Sequence, residues 1–316
     1  MDKILITGFS GFVGHHFLQY LYDNYSDTEV YGIDLREPTW DYKAYEDKMK
    51  VHFKNVNLLD IDQMRELFTF FRPDYVLHLA SFSSVAYSWK YPAESFSNNT
   101  DIFLKLATVV RELVPECRVL SIGSSEEYGN VDEGEIPIKE TNELRPTSPY
   151  AVARISQEML SKLFSDSFEM NIILTRSFNH IGPWQDDRFV VPSFVKRIKD
   201  IKLQGKSEGT IETGDTTIVR DFVDVRDVVR AYYMLLKNGK SGEVYNICSG
   251  TGRPLRQIID MIADELDMKI DNTVNPDFVR PNDNKVIIGD YSKIRNELGW
   301  EPEISFEQTI KDIVNQ

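Results

Sequence analysis

Residues 3–14 read Lys3-Ile-Leu-Ile-Thr7-Gly8-Phe-Ser-Gly11-Phe-Val-Gly14, and this stretch decides the fold. The apolar run Ile4-Leu-Ile6 is short enough for a buried strand and too short for a core helix. Glycines at 8, 11 and 14 then make a turn, and residues 15–22 carry a helical pattern. A second strand, residues 29–33, ends on Asp34. Strand, glycine turn, helix, strand, acid is the context that a dinucleotide-binding fingerprint requires. Gly8, Gly11 and Gly14 let the backbone approach a pyrophosphate, whose charge meets the helix N-terminus. Their spacing is G-x-x-G-x-x-G rather than the commoner G-x-G-x-x-G. Asp34 is placed to accept hydrogen bonds from an adenosine ribose and to repel a 2′-phosphate, which favours NAD over NADP. Arg36 pulls the other way, because an arginine there accommodates that phosphate.

Outward from this unit, strands and helices alternate. Candidate strands cover residues 51–57, 75–78, 118–122 and 172–176, with helical patterns at 61–71, 96–113 and 150–168. Such alternation predicts an α/β fold, a Rossmann-like doubly wound parallel sheet with helices on both faces. After Arg176 the pattern loosens into loops rich in Asn, Pro, Gly and aromatics. Helix 227–236 and strand 244–247 read as returns to the sheet. The expected division is a dinucleotide-binding domain at 1–176, rejoined by 220–250. A smaller, discontinuous α+β substrate lobe takes 177–219 and 251–316.

The chain has 316 residues and a formal net charge of −14, which argues against nucleic acid and acidic membranes as partners. Two cysteines, Cys117 and Cys248, form no C-x-x-C pair and suit a reducing compartment. The five histidines show no metal-ligand spacing, so no metal is expected. No signal peptide and no membrane-length apolar stretch are visible, and the expectation is a cytoplasmic protein.

Tyr150-Ala-Val-Ala-Arg154, preceded by Ser124-Ser-Glu-Glu-Tyr-Gly129, carries the chemistry. On a helix, positions i and i+4 share a face, which sets Arg154 beside the Tyr150 phenol. A fixed positive charge there favours the phenolate, and Ser124 is placed to bond the same oxygen. Taken alone, such a Tyr-Arg pair is commonplace on solvated helices; the glycine turn and sheet pattern around it give it meaning.

With these pieces in order, the chain resembles the extended short-chain dehydrogenases/reductases that modify nucleotide-activated sugars. The resemblance runs end to end through His78-Leu-Ala-Ser81, Ser148-Pro-Tyr150, Arg176-Ser-Phe-Asn-His-Ile-Gly-Pro183 and Val219-Arg-Asp-Phe-Val-Asp-Val-Arg-Asp227. It continues through Val244-Tyr-Asn-Ile-Cys-Ser-Gly250, Arg280-Pro281 and Leu298-Gly-Trp300. Within that family it is most similar to GDP-mannose 4,6-dehydratases and GDP-4-keto-6-deoxyhexose reductases. The resemblance implies a catalytic set of Ser124, Tyr150 and Arg154, with arginine standing where the family normally has lysine. Arginine keeps the charge but never deprotonates. It implies cofactor contacts from Phe12, Leu58, Leu79 and Ala80 beside the glycine turn, Asp34, Arg36, Tyr150 and Arg154. Ser84, Ser88, Asn179, Lys196, Arg220 and Arg280 are the implied substrate ligands, the two last as a clamp on the diphosphate. A homodimer through helices 96–113 and 150–168 is also implied.

Three functions compete, and the expectation is narrowly the first, a 4,6-dehydratase. Glu126 stands where the dehydratases carry a catalytic glutamate, and Asp34 suits a self-contained NAD cycle. These favour a 4,6-dehydratase, which moves a hydride from C4 to NAD, loses water across C5 and C6, and returns the hydride to C6. The Asn179-His-Ile-Gly-Pro183 stretch favours a 4-keto reductase. A non-catalytic NAD-binding module is the third, since fold does not fix function.

Overall fold

The computed structural model describes residues 1–278 and 284–316. β1 (Asp2–Thr7) lies inside a seven-stranded parallel sheet, and Ile4, Leu5 and Ile6 are almost completely buried. The glycine turn leads into α1 (Phe12–Asn24), and then come β2 (Thr28–Asp34) and β3 (Lys50–Asn55) on one side of β1. α2 (Ile61–Phe71) and β4 (Tyr75–His78) match the sequence expectation residue for residue. β3 stops two residues short of its expected end, at Asn55.

Residues 96–113 are not one helix. α3 (Val85–Lys90) and α4 (Pro92–Phe96) lead into a π turn, Ser97–Asp101, and only then does α5 (Ile102–Leu113) begin. Next come β5 (Arg118–Ser124), α6 (Pro149–Phe168) and β6 (Ile172–Ser177). Two cores clamp the sheet. One face packs Met64, Leu67, Phe68, Phe103, Leu106 and Val110 from α2 and α5. Burying a side chain of this kind contributes roughly 1.5–3 kcal/mol.

β7 (Asn179–Ile181), α7 (Val190–Leu203), β8 (Glu208–Thr213) and β9 (Val219–Asp224) follow. β9 does not rejoin the large sheet. It pairs with β7 in parallel and, further along the chain, with β11 (Gly252–Pro254) antiparallel and β13 (Val286–Ile287) parallel. The return expected from residue 220 therefore starts at α8 (Val225–Asn238) and continues in β10 (Val244–Ile247) on the sheet edge beside β6. Val228, Val229 and Tyr232 of α8 join Phe17 and Leu21 of α1 in the core of the second face.

α9 (Leu255–Glu265), β12 (Lys269–Val274), α10 (Ser292–Leu298) and α11 (Phe306–Val314) complete the chain. β12 pairs with β8, and α7, α9 and α11 share a separate core. Ile294 of α10 and the nearby Trp300 pack instead into the α1–α8 core, where Trp300 Nε1 donates to the Asp227 carbonyl at 3.0 Å.

Candidate active site

The carboxyl ends of β1, β2, β4 and β5 point to one edge of the sheet, the usual ligand edge of such folds. Gly8 has φ +69°, and a Cβ there would lie 2.7 Å from the Ala80 nitrogen. A Cβ at Gly14 would lie 2.3 Å from the Phe9 carbonyl oxygen. No side chain fits either position, so α1 starts with bare backbone, and Gly11 gives it no side-chain cap. The free amides at that end suit an anion. Asp34 Oδ2 accepts from the Ser10 amide at 3.2 Å, and Oδ1 accepts from Leu35 at 2.7 Å and Arg36 at 3.4 Å. Burial raises the Asp34 pKa, while these amides and the Arg36 charge oppose the rise. The donors present fit a dinucleotide. Phe12 opens α1 and stacks near His180, and Leu79 and Ala80 follow β4 directly. Leu58 is buried in the core between the sheet and α2.

β5 ends on Ser124, and a 3-10 turn, Ser125–Tyr128, follows. Ser124 Oγ accepts from the Glu126 amide at 3.3 Å, and the Glu127 carboxylate accepts from the Ser124 amide at 2.6 Å. This reciprocal cap separates two adjacent acids. Glu126 is partly exposed, whereas Glu127 is wholly buried.

Ser148 caps α6 through the Ala151 amide at 3.1 Å, with Pro149 in the first helical position. Tyr150 thus sits in the first turn and Arg154 one turn on. Arg154 Nε donates to the Tyr150 hydroxyl at 3.1 Å, and the guanidinium lies 5.2 Å from the ring centroid. Both side chains are buried. Ser124, expected to share the Tyr150 oxygen, uses its own oxygen to cap the turn.

Several neighbours were not singled out in the sequence. At the π turn, Thr100 Oγ1 donates to the Ala153 carbonyl at 3.1 Å, docking the turn against α6. Asn99 Nδ2 donates to the Ser95 carbonyl at 2.7 Å, while its Oδ1 is buried without a partner. Such π turns occur often at functional sites. The available signal was phase: the apolar stripe begins at Ile102, not at Phe96. His78 Nδ1 lies 2.8 Å from Thr7 Oγ1, which also accepts from the Ala80 amide at 3.1 Å. His78 Nε2 is buried without a hydrogen-bond partner. Burial, then the Arg154 charge, pull the His78 pKa down to about 3, so the ring is neutral.

The implied substrate ligands are less uniform. Ser84 caps α3 through the Tyr87 amide. Ser88 is fully buried, and its hydroxyl donates to the Val85 carbonyl at 2.7 Å. Asn179 is exposed on β7, beside β9. Lys196 is exposed and pairs with Asp187. Arg220 is nearly buried on β9, donating to the Val219 carbonyl at 3.0 Å and the Asn284 carbonyl at 2.7 Å. Asp221, the next residue on β9, accepts from Ser249 Oγ at 2.6 Å and from the amides of Ser249, Gly250 and Gly289. Arg280 lies outside the described residues. Among the described residues no cluster of three or more His, Cys, Asp or Glu is set to hold a metal, and no helix is long and apolar enough to cross a membrane.

Comparison with known proteins agrees with this geometry. The model of the GDP-mannose 4,6 dehydratase family matches residues 5–313. A GDP-6-deoxy-D-mannose reductase of Pseudomonas aeruginosa is 31% identical over 99% of this chain and 96% of its own. A GDP-mannose 4,6-dehydratase of Yersinia enterocolitica is 27% identical over 99% of this chain and 93% of its own. Among solved structures, RMD from Pseudomonas aeruginosa, complexed with NADPH, superposes with a TM-score of 0.86 at 30% identity, covering 100% of this chain and 98% of that one. A fingerprint built on bare glycines, a buried Tyr-Arg pair and a match across nearly the whole length make this chain a member of the GDP-mannose 4,6 dehydratase family, within the extended short-chain dehydrogenases/reductases.

Proposed function

We propose that this chain exchanges a hydride at C4 of a nucleotide-activated hexose, and that its net reaction is reduction of a GDP-4-keto-6-deoxyhexose. The observation that carries the first half is the buried Tyr150 hydroxyl bonded to Arg154 Nε at 3.1 Å. When bound, NADH supplies the hydride to C4. Tyr150 then gives its proton to the C4 oxygen, and Arg154 stabilises the phenolate left behind. Ser124, at the end of β5, orients the keto group. Asp34 supports NAD(H) over NADP(H). Gly8, Gly11 and Gly14 hold the pyrophosphate, and Asn179, Arg220 and Arg280 hold the sugar's diphosphate.

Two findings support reduction over the elimination that Asp34 and Glu126 suggested. Elimination needs a base at C5 and an acid at C6, but Glu127, the second acid of the turn, is folded inward to cap Ser124. The reductase relative also spans the same length at 31% identity. Glu126 still favours the dehydratase as a second reading.

One experiment separates them. Purified protein is incubated with GDP-mannose and catalytic NAD, and separately with GDP-4-keto-6-deoxymannose and NADH or NADPH, with products read by mass spectrometry. Gain of two hydrogens by the keto sugar supports the reductase, and Glu126→Gln leaves that reaction standing. Loss of water from GDP-mannose without net use of NAD makes the dehydratase correct, and Glu126→Gln then lowers the rate by roughly 10²–10⁴-fold. Cofactor binding with neither conversion favours the non-catalytic module.

The functional unit is a homodimer. Met159 and Leu163 lie one turn apart on α6 and are 66% and 53% exposed, and Leu104 of α5 and Phe168 of α6 are exposed as well. Light scattering is expected to give a dimer that Met159→Glu with Leu163→Glu converts to monomer. A monomeric parent chain at micromolar concentration rules the dimer out.

A further inference from the structure

We propose that Gln157 is a positioning residue that adapts this active site to an arginine. By fixing the Arg154 guanidinium, it sets Nε on the phenol and leaves Nη2 for the cofactor's ribose. The inference rests on the hydride-exchange reading above.

Arg154 carries five N–H donors in a rigid plane. Nε donates to Tyr150, while Nη1 donates to the Ile122 carbonyl at 3.1 Å and to Gln157 Oε1 at 2.8 Å. Three donors are thereby fixed in direction, which fixes the plane. Nη2 makes no hydrogen bond within the described residues and is not among the sealed, partnerless atoms. Its two donors are the ones left for a ligand.

Gln157 is itself held in one orientation. Its Nε2 donates to Ser121 Oγ at 2.9 Å and to the Ile122 carbonyl at 3.1 Å. Ser161 Oγ lies 3.0 Å from the same Ser121 oxygen. Turning the amide over would set its NH₂ against the guanidinium and its oxygen against the Ile122 carbonyl. Gln157, Ser121 and Ser161 are all buried, so water does not substitute for the missing bonds. A lysine at 154 has three donors on one nitrogen. It cannot serve Tyr150, Ile122, Gln157 and a ribose together. Arg154 and Gln157 therefore form a matched pair.

His78 on β4 and Tyr232 on α8 are titratable groups that also face this pair. His78 is neutral, and burial pushes the Tyr232 phenol up. Gln157 is thus an uncharged contact, and Gln157→Glu sets an anion against the guanidinium with little change of shape.

The test uses the full chain with NADH and the sugar nucleotide it converts. NADH binding is followed by fluorescence, and kcat/KM by pH profile, for Gln157→Leu, Gln157→Glu, Arg154→Lys and the Arg154→Lys/Gln157→Leu double variant. Gln157→Leu is expected to weaken NADH binding about fivefold or more, a loss on the scale of one hydrogen bond. Gln157→Glu is expected to lower kcat/KM and change its pH profile, because it sets an anion against the guanidinium that bonds Tyr150. Arg154→Lys is expected to lose activity that Gln157→Leu partly restores in the double variant. Circular dichroism checks that each variant folds, and Gln157→Glu stands as an independent arm if Gln157→Leu does not. A profile for Gln157→Glu that coincides with the parent's, with no restoration in the double variant, overturns the inference alone. A parent chain that binds no NADH overturns the hydride-exchange reading and the inference with it.

Discussion

Tyr150→Phe lowers the rate of C4 hydride exchange by roughly 10²–10⁴-fold, the usual loss when a positioned acid is removed. The substitution keeps the ring and its packing beneath Arg154 and deletes only the hydroxyl that Arg154 Nε bonds at 3.1 Å. NADH affinity is expected to change little, because Nη2 and the glycine turn are untouched. Stability falls by about 1–3 kcal/mol, because a buried charged donor loses its acceptor. The measurement is single-turnover oxidation of bound NADH by the keto sugar, set beside NADH titration and thermal melting of the same variant. A rate within about tenfold of the parent, below the usual range for an essential acid, removes Tyr150 from the proton path. A rate loss matched by an equal loss of NADH affinity assigns the residue to binding instead.

The features legible in the sequence are those whose physics is local. The β1–turn–α1–β2 unit reads directly because each glycine answers to backbone atoms within the same unit or the strand beside it. Tyr150 and Arg154 read directly because helix geometry alone brings them together. The π turn at Ser97–Asp101 was read as helix, because an extra residue in a turn leaves composition unchanged and moves only the phase of the stripe after it. Gln157 was passed over because its partners, Ser121 and Ile122, lie on β5, 36 and 35 residues away. β9 carries no strand signal of its own in Val219-Arg-Asp-Phe-Val-Asp224, because what fixes it is pairing with β7, which lies 42 residues earlier by the Asn179–Asp221 bond. Ser88 enters only through the resemblance, and its hydroxyl bonds a carbonyl three residues back, as a serine near a helix N-terminus readily does.

Glu126 and Glu127 show the limit most sharply. Adjacent acids in a loop look alike in sequence, yet the cap on Ser124 leaves one partly exposed and buries the other. Glu127 then belongs to a cluster that supports the site from beneath. Arg176 on β6 holds Glu158 of α6 through Nε at 2.9 Å and Nη2 at 2.8 Å, and donates through Nη1 to the Tyr128 hydroxyl and the Glu140 carbonyl, each at 3.0 Å. Lys162 adds a bond to Glu158 at 2.7 Å. Glu127 Oε2 lies 3.9 Å from Arg176 Nε without a hydrogen-bond partner. Burial works against both carboxylates, but Arg176 and Lys162 overcome it at Glu158 and bring its pKa to about 2. At Glu127 burial, reinforced by the Glu158 charge, pushes the pKa well up. The pair therefore holds one charge and one proton, and Glu127 as the acid has a donor to offer Glu158.

Arg176→Met removes the cation and leaves Glu158 buried with only Lys162. Breaking a buried pair in this way costs about 3–5 kcal/mol, and the melting temperature is expected to fall by roughly 5–15 °C. The pH dependence gives a second, sharper signature. Glu158, with its pKa lowered in the folded chain, contributes stability that is present above its unfolded value of about 4.3 and is lost as pH falls towards 2. Glu127, with its pKa raised, contributes stability that is complete below about 4.3 and drains away as pH rises towards its folded value. Glu127→Gln keeps the acceptor for the Ser124 amide and supplies an amide donor towards Glu158 without a proton to lose. Its stability relative to the parent chain is therefore expected to climb as pH rises from 4.3 to neutrality, whereas Arg176→Met is less stable throughout that range. Thermal melts of the three proteins across pH 4 to 8 decide it. A constant offset between Glu127→Gln and the parent means that Glu127 is ionised in the folded chain. The Ser124 amide would then be held by an anion beside the active site.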